Sequence, residues 1–135
     1  MSNENVEAVR RTCEAWERGD IEAWLEAFHP DIVWDTTHFE GWLEGAVYQG
    51  RDAVRRFLVD EWRASWGRYE ACVEELADAG DRVLVLWVQR MTGAGSGVPV
   101  ALDSAQVCSV RRGKVARVDN YTDRGEALRA VGLMA

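Results

Sequence analysis

The sequence has few of the residues that metal sites and disulfide frameworks require. Of its 135 residues, two are histidine and three are cysteine. Cys13, Cys72 and Cys108 are far apart and form no C-x-x-C pair, a pattern typical of reduced thiols in a cytosolic protein. His29 and His38 have no neighbouring cysteine or glutamate pattern, so no metal site is expected.

Positive charge and long apolar runs are also scarce. Sixteen Lys and Arg are outnumbered by 23 Asp and Glu, which gives a formal net charge of -7. Nucleic-acid binding requires clustered positive charge that neutralises phosphates, so we expect no nucleic-acid partner. No stretch approaches the roughly 20 apolar residues of a membrane span, and the N-terminus lacks the pattern of a signal peptide. These absences predict a cytoplasmic protein that does not enter membranes.

Cofactor-binding motifs are missing as well. The sequence contains no P-loop, no dinucleotide fingerprint and no G-x-S-x-G elbow. The glycine-rich run at residues 93–97 separates two predicted strands, so it is interpreted as a hairpin tip and not as a phosphate cradle. We therefore predict that the protein uses no cofactor.

Helical periodicity marks the first half of the chain. A first helix precedes Asp20, which can cap a second helix that runs to Pro30, and a third helix is predicted over residues 52–66. Residues 32–37 alternate as a strand does, and residues 38–50 predict a loop. The apolar stripes of the three helices comprise Val6, Val9, Cys13 and Trp16, then Ile21, Trp24, Leu25 and Phe28, then Val54, Phe57, Leu58, Trp62 and Trp66.

The second half of the chain carries strand patterns separated by hairpin signals. Strands are predicted over residues 69–76, 82–92, 98–110 and 115–121, and a last helix over residues 123–131. Helices followed by an antiparallel meander predict an α+β fold in which a strongly curved sheet wraps around the helices. The concave, largely apolar space inside such a cone is the default location of a ligand site.

Several motifs, in this order, carry a family resemblance. They are WERGDIEA at 16–23, FHPDIVW at 28–34, VYQGRDAV at 47–54, AGDRV at 79–83, and a tail with GKV at 113–115, YTD at 121–123 and EAL at 126–128. The sequence thereby resembles the nuclear transport factor 2-like superfamily, specifically its SnoaL-like, polyketide cyclase-like branch. The resemblance covers residues 1–135 as one domain and implies a cone-shaped fold. That superfamily includes isomerases, epoxide hydrolases, polyketide cyclases and non-enzymatic binders, so the fold alone does not assign an activity.

The positions used by ketosteroid isomerases carry other residues in this chain. The resemblance places Thr36 where those enzymes have a carboxylate base, and Thr12 where they have the tyrosine of the oxyanion hole. The acid of that oxyanion hole corresponds to Gln106 or Ala105. A threonine hydroxyl is too weak a base to remove a carbon-bound proton at neutral pH, so that mechanism is not expected.

The acids of the epoxide hydrolases are also replaced. Their Arg-x-Asp and second Asp correspond to Trp87, Gln89 and Asn120, and the acid of the SnoaL-type cyclases again falls at Asn120. Amides form hydrogen bonds but do not usefully exchange protons. A register slip of one residue would instead turn Asp119 inward. The alternative for Asp119 is an ion pair with Arg117 on the other face.

Strand alternation predicts a set of pocket residues with aromatic walls and a few neutral polar groups. The proposed substrate-binding residues are Trp34, Thr36, Trp87, Gln89, Met91, Leu102, Ser104, Gln106 and Val118, with His38, Tyr48 and Asn120 as the catalytic candidates. His38 would transfer protons from the pocket mouth, because its pKa suits that role. The alternative is that His38 is an exposed loop residue and that Trp87, Met91 and Leu102 simply fill the core.

Three functions remain open at this point. The first is an isomerase-, cyclase- or hydrolase-type enzyme that acts on a polyketide- or terpenoid-like oxygenated molecule. The second is a non-catalytic binder of a small hydrophobic ligand, and the third is a dimeric accessory domain with a filled core. The resemblance implies a homodimer, whose interface on the outer face of the sheet would contain Val88, Arg90, Ala101, Asp103 and Ala105.

Overall fold

The chain folds into helices packed on both faces of one sheet, and the computed structural model describes residues 2–41 and 44–133. In chain order the elements are α1 (Ser2–Glu17), α2 (Ile21–Glu26), β1 (Phe28–His38), β2 (Val47–Gln49), α3 (Arg51–Arg55), a π-helical segment (Arg56–Trp62), a 3₁₀ turn (Arg63–Ser65), β3 (Trp66–Asp78), β4 (Arg82–Gly93), β5 (Pro99–Arg111), β6 (Lys114–Tyr121) and α4 (Arg124–Ala130). The predicted α+β order of helices followed by long strands is confirmed.

The sheet has the strand order β2-β1-β6-β5-β4-β3. Neighbouring strands run antiparallel except β1 and β6, which pair in parallel. Residues paired directly across strands share a face of the sheet. The concave face therefore carries Trp34, Tyr48, Val85, Trp87, Gln89, Leu102, Ser104, Gln106, Val118 and Asn120.

The two faces of the sheet are covered by different helices. Helices α1 and α2 and the π-helical segment pack on the concave face, where Trp24 and Phe28 are almost fully buried. Burying each such large apolar side chain contributes roughly 1.5–3 kcal/mol. Helix α4 covers part of the outer face through a second apolar cluster made of Leu84, Ala105, Val107, Tyr121 and Ala127.

The first part of the chain departs from the predicted pattern at Pro30. The second helix was expected to reach Pro30, but α2 ends at Glu26 and Phe28 already begins β1. Proline cannot donate a backbone hydrogen bond, and a strand tolerates it only where pairing is irregular. The register between β1 and β6 does shift between Phe28 and Val33, which accommodates Pro30. The predicted cap is confirmed, since the Asp20 side chain accepts a hydrogen bond from the Ala23 amide at 3.1 Å.

Two further local expectations were wrong. The segment 38–50 is not all loop, because β2 pairs there with β1; three residues are too few to show a strand periodicity. The third helix does not run regularly to Trp66. After α3 it widens into the π-helical segment, in which the Arg63 amide donates to the Leu58 carbonyl five residues earlier.

None of the helices among the described residues is both long and apolar enough to cross a membrane.

Candidate functional site

The concave face encloses a cavity of about 70 Å³ between the sheet and the helices that cover it. Nine of the described lining residues are aromatic, and the polar groups of the lining are hydroxyls, amides, thiols and indole N–H groups. Its lining comprises Val9, Thr12, Cys13, Trp16, Trp24, Phe28, Trp34, Thr36, Phe39, Phe57, Leu58, Trp62, Tyr69, Trp87, Gln89, Ser104, Gln106, Cys108, Val115, Val118 and Asn120. The lining therefore combines residues from β1, β3, β4, β5 and β6 with residues from α1, α2 and the π-helical segment.

The structure brings eight residues of the predicted pocket set to this cavity. These are Trp34, Thr36, Trp87, Gln89, Ser104, Gln106, Val118 and Asn120. Each lies on the concave face because side chains alternate strictly along a strand. Whether any of them contacts a ligand stays a prediction.

The remaining predicted residues lie elsewhere, and His38 is the most consequential of them. His38 is exposed at the end of β1, and its ring stacks on that of Tyr121 with centroids 4.6 Å apart and an interplanar angle of 6°. Tyr48 is half-buried and stacks on Phe57 at 4.4 Å. Met91 and Leu102 are buried in the apolar core without lining the cavity.

A hydrogen-bond chain crosses the cavity wall from α1 to β5. The indole Nε1 of Trp16 donates to the hydroxyl of Tyr69 at 3.2 Å, and that hydroxyl donates to Oε1 of Gln89 at 2.5 Å. The Nε2 of Gln89 then donates to Oγ of Ser104 at 3.2 Å. An indole can only donate, so the chain has one direction, and a contact of 2.5 Å suits O–H···O and not N–H···O.

A second chain runs from β4 to β1. The indole Nε1 of Trp87 donates to Oε1 of Gln106 at 2.8 Å, and Nε2 of Gln106 donates to Oδ1 of Asn120 at 3.0 Å. The Nδ2 of Asn120 donates to the backbone carbonyl of Asp35 at 3.0 Å. A donor-only indole begins this chain and an acceptor-only carbonyl ends it. Both amides are therefore fixed in one orientation.

Strand reasoning missed the contribution of β3 and of the helices. Tyr69, which links Trp16 to Gln89, lies opposite Met91 in the sheet register. The alternation within β3 was the signal that could have identified it. Phe57 and Trp62 belong to a predicted apolar stripe, but only the closed fold shows that this stripe faces a cavity and not solid core.

The titratable groups in the described lining are neutral near pH 7. Burial raises the pKa of the Cys108 thiol to about 12 and raises the pKa of Cys13 well above its usual value. Burial also raises the pKa of Tyr69, although hydrogen bonds from Trp16 and Trp62 oppose that rise. Among the residues that the structure describes, the cavity lining contains no Asp, Glu, His, Lys or Arg.

The charged residues of β1 and β6 lie on the opposite face. Arg117 Nη2 contacts Asp35 Oδ2 at 2.9 Å and Asp119 Oδ1 at 3.0 Å. Asp119 thus faces away from the cavity, and its neighbour Asn120 lines it. Burial would raise the pKa of Asp35, but two hydrogen bonds from Thr37 and the charge of Arg117 outweigh burial and hold that pKa below its usual value.

No group of three His, Cys, Asp or Glu side chains in residues 2–41 and 44–133 is arranged to hold a metal ion.

Comparison with known proteins identifies both a family and a fold. The model of the SnoaL-like domain family matches residues 9–118. A comparison with curated proteins gives no match. The solved structures that resemble this one include an NTF2-like protein from Burkholderia thailandensis, which is 25% identical, has a TM-score of 0.79, and is matched over 93% of this chain and 95% of that chain.

Two further similar structures contain small molecules. TerC, crystallised with polyporic acid, is 24% identical with a TM-score of 0.75 over 96% of this chain and 98% of its own. A Mycobacterium tuberculosis protein in complex with estradiol-17β-hemisuccinate is 19% identical with a TM-score of 0.71 over 87% and 92%. At these identities the likeness shows a common fold.

Proposed function

The chain belongs to the SnoaL-like domain family, and we propose that its cavity binds a small, uncharged, largely apolar molecule that carries oxygen. The observation that supports this most is the absence of ionised side chains from the described lining, combined with five tryptophans and several neutral polar groups. A charged ligand would lose its hydration here without gaining an ionic partner, which is costly. An uncharged ring would lose little and would gain contact with the aromatic walls.

The size of the cavity restricts the ligand further. About 70 Å³ is well below the ~300–1,000 Å³ of typical sites for drug-sized ligands. A single small ring, or one end of a larger molecule, fits this conformation. The ligands of the two similar structures, polyporic acid and estradiol-17β-hemisuccinate, are oxygenated ring compounds, which supports the ring and the oxygen of the proposed ligand. Both also carry acidic groups, which in this chain would have to lie outside the neutral cavity.

We propose binding without proton transfer by the cavity wall. Acid–base catalysis requires a group whose pKa lies near the working pH. The three titratable residues of the described lining, Cys13, Tyr69 and Cys108, all have raised pKa values and stay protonated. The exposed His38 stacks on Tyr121 outside this lining, which does not support its assignment as the proton-transfer residue.

A thermal-shift comparison of acetophenone, benzoate and benzylammonium tests the proposal. Ligand at tenfold excess over its dissociation constant stabilises the native state by about 1.4 kcal/mol, which corresponds to roughly 4 °C in Tm for a domain of this size. We expect this shift with the neutral ketone and not with either ion. A shift equal to or greater than that of the ketone with either ion would contradict the proposal.

A cavity-filling variant supplies the control. Val118 lines the cavity, and Val118→Phe should occupy part of it and abolish the response to acetophenone. Val33 is half-buried on the face of β1 that points away from the cavity, so the Val33→Phe variant should respond to acetophenone as the wild type does. An unchanged response in Val118→Phe would place the ligand outside the cavity.

We also propose a homodimer formed through the outer face of the sheet. Arg90, Ala101 and Asp103 are exposed there, and Arg90 pairs with Asp103 at 2.9 Å within the chain. Ala105 cannot take part as expected, because α4 packs over it and leaves it fully buried. Light scattering tests this assembly, and a monomer across the micromolar range would count against it.

A further inference from the structure

The hydrogen-bond chains leave hydrogens, and not oxygens, without partners in the cavity. Ser104 Oγ accepts from Gln89 Nε2, and it donates no hydrogen bond to any of the described residues. Gln89, Gln106 and Asn120 each use one amide hydrogen in a chain and have a second with no acceptor there. Four donor hydrogens on lining residues are therefore available to a ligand.

The oxygens of the same side chains are each engaged. The side-chain oxygen of Gln89 accepts from Tyr69, that of Gln106 accepts from Trp87, and that of Asn120 accepts from Gln106. A second lone pair left unused on an oxygen is tolerated more readily than a buried hydrogen without an acceptor. The groups of these side chains that still lack a partner are therefore hydrogen-bond donors, which a ligand with an acceptor atom would satisfy.

Three of the four side chains that carry these spare hydrogens are buried, which makes an unpaired hydrogen costly. Gln89, Ser104 and Asn120 are only 8%, 3% and 5% exposed, so bulk water does not freely serve their spare hydrogens. Ser104 and Gln106 lie two residues apart on β5 with their side chains on one face, about 7 Å apart along the strand. Gln89 Nε2 lies 3.2 Å from Ser104 Oγ, so a ligand oxygen that reaches Ser104 also lies close to the Gln89 amide.

From this polarity we infer that the cavity selects a ligand bearing a carbonyl- or ether-type oxygen that accepts hydrogen bonds from the Ser104 hydroxyl and the neighbouring amides. The inference rests on the proposed binding of an uncharged molecule and adds the polarity of its head group. Tyr69 acts as a positioning residue. Its hydroxyl donates a hydrogen bond to Gln89 Oε1, and this bond fixes the Gln89 amide with its Nε2 hydrogens toward Ser104.

Three five-membered rings of similar size separate the possibilities. Cyclopentanone only accepts hydrogen bonds, pyrrole only donates through its N–H, and methylenecyclopentane does neither. Dissociation constants are measured by following tryptophan indole N–H resonances, with all ligands kept below the solubility limit of the hydrocarbon. In the wild type we expect cyclopentanone to bind more tightly than pyrrole by about fivefold, the effect of one neutral hydrogen bond.

Variants then assign the donor. Ser104→Ala should lower the affinity for cyclopentanone relative to methylenecyclopentane by about fivefold. Ser109→Ala, the same change on the other face of β5, should leave that ratio unchanged. Tyr69→Phe should also lower the ratio, because Gln89 loses the bond that orients it.

The outcomes distinguish this inference from the proposed function. If methylenecyclopentane binds and the affinity ratio is the same in Ser104→Ala as in the wild type, the cavity binds apolar molecules and the acceptor selectivity is wrong. Tighter binding of pyrrole than of cyclopentanone would overturn the selectivity in the same way. If none of the three rings binds at millimolar concentration, the proposed function and the inference both fail.

Discussion

Arg124 donates a hydrogen bond from Nη2 to the backbone carbonyl of Trp87, at 2.8 Å. Its Nε lies 3.4 Å from the carbonyl of Ser104, the residue paired with Trp87 in the sheet. The side chains of both paired residues line the cavity, one at the start of a hydrogen-bond chain and the other at the end. One arginine in the first turn of α4 thus connects the outer face of the sheet to the wall of the cavity.

Replacing Arg124 should therefore disturb the cavity as well as the stability. Arg124→Met keeps the apolar stem but removes the contacts to both carbonyls, so we expect a loss of about 1–2 kcal/mol in the free energy of unfolding. Urea denaturation measures this loss. The Nε1–H resonance of Trp87, observed by NMR, should shift as well.

Glu74 provides the control for that variant. Its carboxylate pairs with Arg124 Nη1 at 2.7 Å but is 52% exposed. A solvent-exposed ion pair contributes little, so Glu74→Gln should cost less than about 0.5 kcal/mol and leave the Trp87 resonance in place. Wild-type stability and an unmoved Trp87 resonance in Arg124→Met would refute the link between the two faces.

The hydrogen bonds from Thr37 to Asp35, together with the charge of Arg117, predict a specific pH dependence of stability. The folded-state pKa of Asp35 lies below its unfolded value of ~3.9. A lowered pKa contributes stability that is fully present above the unfolded value and is lost as pH falls through the folded value. The destabilisation caused by Asp35→Asn should therefore be largest near pH 7 and should shrink below about pH 4.

Urea unfolding of the wild type and Asp35→Asn between pH 7 and pH 3 measures this difference. Asp81→Asn is the control, because the Asp81 side chain is 92% exposed and lies 3.8 Å from Arg82, so its loss should cost less than about 0.5 kcal/mol. A difference between Asp35→Asn and the wild type that stays constant over this pH range would show that Asp35 carries no such stabilising charge.

The three cysteines should differ sharply in reactivity. Cys72 is exposed, whereas Cys13 and Cys108 are buried with raised pKa values. The thiolate is the reactive form, so an aromatic disulfide reagent at pH 8 should modify one thiol per chain rapidly and all three only in urea. Cys72→Ser should remove the rapid phase. Rapid reaction of two thiols in the folded protein would show that the cavity opens far more than this structure indicates.

Strand geometry explains why much of the cavity could be predicted from the sequence. Side chains alternate along a strand by covalent geometry, so locating β4 and β5 was enough to place Trp87, Gln89, Ser104 and Gln106 on one face. The same reasoning placed Asn120 and Asp119 on opposite faces of β6. These assignments did not depend on contacts between residues that are far apart in the sequence.

Contacts between distant segments could not be predicted in this way. The hydrogen bond between Tyr69 and Gln89 depends on the pairing of β3 with β4, and the stack of His38 on Tyr121 depends on the parallel pairing of β1 with β6. His38 was expected at the pocket mouth because the loop after it looked aromatic. Its ring instead stacks on the ring of Tyr121, on the outer face of the sheet. The alternation pattern also could not tell Met91 and Leu102, which fill core, from Trp87, which lines the cavity.

A crystal structure of the protein soaked with cyclopentanone tests the central claim most directly. We expect electron density for the ring inside the cavity against the indoles of Trp34 and Trp87, with no ordered ligand on the outer face. Neutral walls and about 70 Å³ of space are the features that favour this position. A cavity closed by its own side chains, with the ring bound elsewhere or absent at saturating concentration, would contradict the account.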